Sequence, residues 1–175
     1  MTDEIQLQQY IRSIHDFPKQ GIVFRDITPL LASGVAFRES VRLLADHYRG
    51  KPIDVVAAAE ARGFIFAAPL ALELGVGFVP VRKPGKLPFN THAFHYELEY
   101  RSDTLEIHSD GIREGQRVLL VDDLLATGGT MEACCRLIER AGGHIAGCAF
   151  VIELESLGGA ERLKEYELFR LIRFP

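Results

Sequence analysis

The sequence predicts a doubly wound α/β fold, in which helices cover both faces of a mainly parallel sheet. Short apolar runs alternate with longer segments whose apolar residues recur at helical spacing, which is typical of βα units. A length of 175 residues and a hydrophobic content of 47% fit a single domain, residues 1–175, with a sizeable core. Charged or small polar residues follow several apolar runs, where such a sheet binds its ligands.

Five segments are predicted as strands because they are short, apolar and rich in branched residues. Pro80 lies inside one of them and favours an edge position, since proline cannot donate a hydrogen bond to a neighbouring strand. The predicted strands are Ile53–Ala59, Phe78–Val81, Val118–Val121, Ile145–Leu154 and Leu168–Phe174.

Helices are predicted where apolar residues recur three and four positions apart. In the first of them, Leu7, Ile11 and Ile14 lie on one face ahead of a proline. Pro69 lies inside another helix and is expected to kink or break it. The predicted helices span residues 7–17, 37–48, 64–74, 131–141 and 160–166.

Two segments follow a different pattern. Residues 18–30 are bounded by proline and predicted as a packed loop with one internal ion pair, for which Arg25 and Asp26 are available. In residues 89–110 apolar and polar residues alternate, which predicts a mobile two-stranded ribbon with its turn near Arg101–Thr104.

The net charge of −4 excludes a global basic field, so no nucleic-acid partner is expected. The N-terminal segment is polar and acidic and contains no apolar run of the length that a signal peptide or membrane span needs. Cys134, Cys135 and Cys148 form an odd, unspaced set that indicates buried reduced thiols. We therefore expect a cytoplasmic protein without a membrane partner.

The stretch from Val118 to Thr130 has the strongest functional signal. Four apolar residues precede two carboxylates, Asp122 and Asp123, and a small, hydroxylic turn beginning at Ala126 leads into a predicted helix. Unpaired N–H groups at a helix N-terminus attract anions, and glycines let a phosphate approach closely. Adjacent acids suit sugar hydroxyls or the water shell of a metal. The stretch therefore predicts a sugar-phosphate site.

Other phosphate motifs do not fit this stretch, since no Lys follows the glycines and no GxGxxG pattern is present. The simplest alternative is a tight strand-to-helix turn whose acids only cap and solvate the helix. Composition and spacing by themselves lead to an α/β protein that binds a phosphorylated sugar.

Further cations follow other predicted strands and are expected at the same edge of the sheet. Arg62 follows one strand, and Arg82, Lys83 and Lys86 follow the next. They can hold a second anion, so the edge suits a ligand with phosphate at one end, ribose in the middle and diphosphate at the other.

Five runs, in the same order, resemble motifs of the adenine phosphoribosyltransferase family, a branch of the type I phosphoribosyltransferases. The resemblance covers nearly the whole chain. It implies the type I phosphoribosyltransferase fold, with a small N-terminal base-binding hood at residues 1–34 and a flexible two-stranded lid at residues 89–110. The matching runs are Gly21–Leu30, Glu60–Phe64, Arg82–Pro88, Leu98–Tyr100 and Val121–Thr130.

The resemblance implies transfer of the 5-phosphoribosyl group from phosphoribosyl diphosphate to adenine, forming AMP and diphosphate in purine salvage. It also implies a homodimer and a Mg²⁺ ion that is carried by the diphosphate rather than bound directly by the protein. The implied ligand sites are Ala126, Thr127, Gly128, Gly129 and Thr130 for the 5-phosphate, Asp122 and Asp123 for the ribose and the magnesium's water shell, and Arg62, Arg82, Lys83 and Lys86 for the diphosphate.

For the base, the resemblance implies a site between Phe24 and Leu154, where backbone groups of Val23 and Arg25 contact the amino edge of adenine. Guanine would leave such a backbone group unpaired, which disfavours that base. The lid would exclude water from the activated sugar. Glu99 in the lid would act as the catalytic acid or base on the ring proton of the purine, and a solvated strand face is its alternative.

Two features of the lid leave its geometry open. Arg101 stands where the family usually has Gly, and a turn with positive φ there would cost an Arg about 1–2 kcal/mol. We therefore expect a differently shaped lid turn. His92 and His95 are three residues apart, but two ligands without a third favour solvated or substrate-facing histidines over a metal site.

Two other functions share this fold. A regulator that senses phosphoribosyl diphosphate would need a nucleic-acid surface, which the acidic balance and the lack of a helix-turn-helix pattern disfavour. A phosphoribosyltransferase for guanine or xanthine would differ at the base site, and only the resemblance of Phe24-Arg25-Asp26 disfavours it.

Overall fold

The computed structural model describes residues 5–98 and 101–175. The chain divides into two compact units, Met1–Leu43 and Leu44–Pro175. The strands are β1 (Arg12–His15), β2 (Val23–Asp26), β3 (Val55–Ala59), β4 (Gly77–Val81), β5 (Thr91–Leu98), β6 (Arg101–His108), β7 (Arg117–Leu125), β8 (His144–Leu154) and β9 (Leu168–Phe174). The α-helices are α1 (Thr28–Ala32), α2 (Gly34–Tyr48), α3 (Gly63–Leu74), α4 (Gly129–Arg140) and α5 (Gly159–Arg162).

The first unit contains an antiparallel hairpin where a helix was predicted. Within the predicted helix, residues 7–17, only Leu7–Tyr10 is helical, as a short 3-10 turn, and β1 then pairs with β2. Asp16 turns the chain with φ of +57°, and its carboxylate accepts a hydrogen bond from the backbone N–H of Gly21 at 2.7 Å. The predicted helix over residues 7–17 is therefore wrong, because a tight turn and a strand partner override a short apolar periodicity.

The segment 18–30, predicted as a loop, contains β2 and the start of α1. Asp26 lies between them, and its carboxylate accepts a hydrogen bond from the backbone N–H of Thr28 at 2.9 Å. The same carboxylate lies 3.8 Å from the guanidinium of Arg12 on β1, and Arg25 donates to the hydroxyl of Ser13. Polar side chains of the segment therefore tie β2 to β1.

The second unit contains a five-stranded parallel sheet in the order β4-β3-β7-β8-β9. The chain moves from β3 outward to β4 on one side, and from β7 outward through β8 to β9 on the other. The topological switch therefore falls between β3 and β7, where such sheets bind ligands. The predicted strands and the edge position of the strand with Pro80 are confirmed.

Helices cover both faces of the sheet, as the doubly wound prediction requires. On one face Val118, Leu120 and Phe150 pack against buried residues of α4. On the other, α3 packs against β3 and β7, and it continues through Pro69 without a break. Helix α5 is shorter than predicted and follows a 3-10 turn at Glu155–Leu157. No helix in the described ranges is long and apolar enough to cross a membrane.

Strands β5 and β6 form the predicted ribbon, with a register that runs from Thr91 opposite His108 to Leu98 opposite Arg101. The turn predicted at Arg101–Thr104 is wrong, because these residues belong to β6. Arg101 occupies a strand position, so the cost considered for a left-handed turn does not arise there. The base of the ribbon is joined to the main sheet by two backbone hydrogen bonds between Arg82 and Glu106, at 2.9 and 2.7 Å.

Candidate active site

The two predicted carboxylates lie inside the end of β7 rather than after it. Pairing of β7 with β3 ends at Val121, whereas pairing with β8 continues as far as Leu125. From Asp122 onward, β7 therefore has a strand neighbour on one side only. The unpaired side of β7 opens at the topological switch. The sequence predicted the end of the strand at the end of its apolar run, whereas the strand remains extended beyond that run.

Asp122 and Asp123 form a desolvated acid pair. Asp123 is 3% exposed, and its Oδ2 lies 2.8 Å from Nη2 of Arg62. This contact is an ion pair rather than an aligned hydrogen bond, since Oδ2 accepts none from the described residues. Oδ1 of Asp122 accepts a hydrogen bond from the backbone N–H of Asp123 at 2.9 Å.

Burial sets the protonation behaviour of this pair. Burial raises the pKa of Asp122 well above its usual value, and the negative charge of Asp123 raises it further. Burial also raises the pKa of Asp123, while the guanidinium of Arg62 opposes that rise. Hydroxyl donors or a hydrated cation would stabilise the ionised carboxylates in this environment.

Arg62 reaches the acid pair from the turn between β3 and α3. It is the residue immediately before α3. The next residue is Gly63, where a Cβ atom would lie 3.0 Å from both Oδ1 of Asp122 and the carbonyl oxygen of Val121. A side chain at this position would therefore push the turn away from β7 and separate Arg62 from Asp123.

Residues 126–128 form the loop between β7 and α4, and α4 begins at Gly129, so the predicted run 126–130 covers this loop and the first two residues of the helix. Gly128 has φ of +79°, a left-handed conformation that costs glycine little, and its carbonyl accepts the first helical bond from Glu132 at 2.9 Å. The loop encloses a cavity of about 100 Å³, which Asp122 also lines. The helix N-terminus, the small residues and this cavity together form a cradle that suits a phosphate group.

The backbone around Gly159 packs directly against this loop. A Cβ atom on Gly128 would lie 2.9 Å from the carbonyl oxygen of Gly159. A Cβ atom on Gly159 would lie 2.3 Å from the carbonyl oxygen of Ala126 and 2.7 Å from Cδ1 of Leu125. Sequence reasoning missed this support, although the glycine pair Gly158-Gly159 in the loop after a predicted strand could have indicated it.

The remaining predicted cations lie beside carboxylates that the sequence analysis did not single out. Arg82 and Lys86 both contact Glu60, at 2.9 and 3.0 Å, and Lys83 lies 3.3 Å from Asp103. Burial raises the pKa of Glu60, but hydrogen bonds from the Lys83 amide, Lys86 and Arg82 outweigh it and lower the pKa to about 2. The position of Glu60 directly after a strand was the available signal.

The residues predicted for the base are found on separate elements. Val23, Phe24 and Arg25 lie on β2 in the first unit, where the ring of Phe24 packs edge-on against Phe17 with centroids 5.3 Å apart. Leu154 ends β8 in the second unit. Glu99, the predicted catalytic residue, lies outside the described residues.

The two histidines of the ribbon do not form a site together. His92 and His95 are both on β5, where residues three apart point to opposite faces. Nδ1 of His95 lies 2.6 Å from the hydroxyl of Thr104 on β6. Across residues 5–98 and 101–175, no group of three or more His, Cys, Asp or Glu is placed to hold a metal ion.

The fold and this site are those of a doubly wound α/β protein with a sheet edge that suits a phosphorylated sugar. The family model of the phosphoribosyl transferase domain matches residues 28–174. Among curated relatives, the adenine phosphoribosyltransferase of Rhodopirellula baltica is 58% identical over 170 residues, which cover 97% of this chain and 82% of the relative.

Solved structures agree with the family match. The adenine phosphoribosyltransferase of Thermoanaerobacter pseudethanolicus superposes with a TM-score of 0.91 at 52% identity, covering 96% of this chain and 98% of its own. The enzyme of Giardia lamblia, complexed with 9-deazaadenine, gives a TM-score of 0.90 at 36% identity over 97% and 96% of the two chains. The chain therefore belongs to the phosphoribosyl transferase domain family and, within it, to the adenine phosphoribosyltransferases. The predicted type I fold is confirmed.

Replacing Gly159 with alanine is expected to disturb the phosphate loop, because the new Cβ would overlap the carbonyl oxygen of Ala126. Such overpacking typically costs about 1–3 kcal/mol of unfolding free energy. We expect Gly159→Ala to bind ribose 5-phosphate more weakly in isothermal titration calorimetry, with unfolding measured in urea.

Gly77→Ala is the matched control, since its Cβ would meet only Cγ2 of Val55, at an ordinary 3.8 Å. Equal ribose 5-phosphate affinity in the two variants would show that Gly159 does not shape the loop.

Proposed function

We propose that this protein transfers the 5-phosphoribosyl group of phosphoribosyl diphosphate to adenine, forming AMP and diphosphate, as in purine salvage. The observation that carries the proposal is the acid pair at the open end of β7, which lies between a phosphate cradle and Arg62. The names of the relatives support adenine as the base, and one solved relative holds an adenine analogue.

In this proposal the sugar substrate lies along the open end of β7. Backbone N–H groups from Ala126 to Thr130 bind the 5-phosphate, because they point out of the N-terminus of α4 and the macrodipole favours negative charge. Asp122 and Asp123 then face the ribose and accept hydrogen bonds from its hydroxyl groups. Holding both ends of the ribose 5-phosphate in this way fixes the anomeric carbon relative to the incoming base.

We assign the diphosphate to Arg62, Arg82, Lys83 and Lys86. Lysine and arginine donors form charge-assisted hydrogen bonds with phosphate oxygens, and such bonds stabilise the leaving diphosphate. Some of these cations are proposed to act across a subunit interface.

The acid pair also fits a hydrated magnesium ion. Asp123 is buried and Asp122 is half-buried, and the described residues hold no group of three acidic, histidine or cysteine side chains placed for a metal. The pair therefore suits hydrogen bonds to coordinated water better than direct coordination. When bound with the diphosphate, Mg²⁺ would neutralise part of its charge. Asp122 and Asp123 would orient that hydrated ion, while Arg62 keeps its position beside Asp123.

The base is assigned to Val23, Phe24 and Arg25 of β2 and to Leu154, as the family resemblance implies. An aromatic and an aliphatic side chain offer apolar surface to a purine ring, and strand backbone offers a donor and an acceptor to its amino edge. Guanine would leave one of these backbone groups unpaired, which costs more than a lost contact.

The ribbon of β5 and β6 is proposed as a flexible lid that closes over the substrates. Closure would exclude water, which would otherwise hydrolyse the activated sugar. We assign Glu99 the acid or base role on the purine's ring proton, as the family resemblance implies.

A homodimer and a cytoplasmic location complete the proposal. Helix α3 is apolar except for Glu73, and it leaves Leu72 82% exposed, which suits a subunit contact. Near the start of this helix, the ring of Phe64 packs edge-on against the ring of Phe78 on β4, with centroids 5.4 Å apart. Three buried free cysteines support a reducing compartment.

The proposed function is tested by incubating the protein with phosphoribosyl diphosphate, magnesium chloride and each purine base, and by quantifying the nucleotide formed. We expect AMP from adenine, and at least ~100-fold lower kcat/KM with guanine or hypoxanthine, as a polar mismatch in a buried site produces. Faster turnover of guanine or xanthine would overturn the choice of base. No turnover with any base would favour a regulator.

Replacing Asp123 with asparagine is expected to raise the KM for phosphoribosyl diphosphate, since the ribose loses an anionic acceptor and Arg62 loses its ion-pair partner. A lost charge-assisted hydrogen bond corresponds to roughly 10–100-fold in kcat/KM. Steady-state kinetics with varied sugar substrate measure this effect. Asp46→Asn, on the exposed side of α2, is the control, and equal constants in both variants would remove the acid pair from the site.

Replacing Glu99 with glutamine is expected to lower kcat by ~10²–10⁴-fold while both KM values change little, because a general acid or base acts on the chemical step. Single-turnover kinetics separate this step from product release. Glu97→Gln, two residues away in sequence, is the matched control. If that variant loses the rate while Glu99→Gln keeps it, the catalytic role belongs to the other glutamate.

A further inference from the structure

Glu60 lies outside the residues assigned to the substrates, yet it binds two of the cations assigned to the diphosphate. Its Oε2 accepts hydrogen bonds from Nε and Nη2 of Arg82 at 3.1 and 2.9 Å and from Nζ of Lys86 at 3.1 Å. Its Oε1 accepts one from the backbone N–H of Lys83 at 2.9 Å and also lies 3.0 Å from Nζ of Lys86. The side chain of Glu60 is only 8% exposed.

We propose that Glu60 is a positioning residue, which holds Arg82 and Lys86 side by side in the array that receives the diphosphate. The inference rests on the proposed function, because it concerns how that same site recognises its anionic substrate. Glu60 itself does not contact the reacting atoms in this proposal.

Arg82 and Lys86 are both positively charged, so an anion between them is needed to hold them close together. Arg82 is fixed by its backbone bonds to Glu106, whereas Lys86 lies four residues further along a loop that also contains Pro84 and Pro88. Like charges brought this close repel each other unless a counter-charge is present. Glu60 supplies that charge from the end of β3 and thereby lowers the cost of assembling the array before the substrate binds.

Glu60 leaves donors available for the substrate. It uses Nε and Nη2 of Arg82 but not Nη1, and a lysine ammonium has three hydrogens of which a carboxylate oxygen takes one. A diphosphate can therefore bind the outer donors of Arg82 and Lys86 while the inner donors remain on Glu60. Glu60 therefore supports the two cations without competing with the diphosphate, because the substrate does not have to displace it.

Glu60 stays ionised throughout the neutral pH range, because its donors outweigh the effect of burial and lower its pKa to about 2. The support is therefore constant with pH. Any difference between the wild-type protein and a variant with a neutral side chain at this position should be the same at pH 6 and at pH 9.

The test compares Glu60→Gln with the wild-type protein, using sodium diphosphate with magnesium chloride and phosphoribosyl diphosphate as probes. We expect the Kd for diphosphate, measured by calorimetry, and the KM for phosphoribosyl diphosphate to rise about tenfold. The kcat and the KM for adenine should stay within about twofold. Glu60→Asp keeps the charge on a shorter side chain and should restore part of the affinity.

Asp54→Asn is the matched control, since Asp54 precedes β3 and its carboxylate is bound by Arg117 in the same way, with Nη2 at 2.6 Å. We expect this variant to keep wild-type affinity for diphosphate. If the wild-type protein binds neither probe, the proposed function fails. If it binds both and Glu60→Gln binds diphosphate equally well or more tightly, Glu60 is no support and the inference alone fails. Should Glu60→Gln not fold, Glu60→Ala takes its place, and an undiminished diphosphate affinity of that variant would overturn the inference.

Discussion

Strand β7 continues along β8 after its pairing with β3 has ended, and the candidate site depends on this unequal pairing. The residues from Asp122 to Leu125 have one strand neighbour, so a gap opens at the switch point of a sheet that is otherwise closely paired. Arg62 enters that gap and pairs with Asp123, which is possible only because Gly63 has no side chain to separate the two strand ends. The gap therefore brings an acid pair, a cation and a phosphate cradle together.

Carboxylates organise the cations of this site. Arg62 lies beside Asp123, Arg82 and Lys86 lie beside Glu60, and Lys83 lies beside Asp103. The local charge is thus nearly balanced before a substrate arrives, which is compatible with a net charge of −4 for the whole chain. In the proposed function, an anionic substrate would gain affinity from donors that are already held in place, rather than from a basic surface field.

Local sequence patterns were sufficient where one type of contact dominates. The buried strands were found because parallel sheet strands are apolar on both faces, and α4 was found because its apolar residues recur at helical spacing. The helix predicted over residues 7–17 was wrong because Ile11 and Ile14 are equally compatible with an extended chain. A turn at Asp16 and pairing with β2 place Ile14 in a strand, and Ile11 lies just before that strand.

The sequence by itself determined the doubly wound fold, the acid pair and the glycine-containing turn into α4, because each depends on residues that are adjacent along the chain. Only the tertiary structure decided which carboxylate holds which cation and which glycine supports the loop. Glu60 and Lys86 are 26 positions apart, and Gly159 lies far from Ala126 in sequence. Such contacts arise from strand order and register, which bring distant strand ends to one edge of the sheet and leave no periodic signal in the sequence.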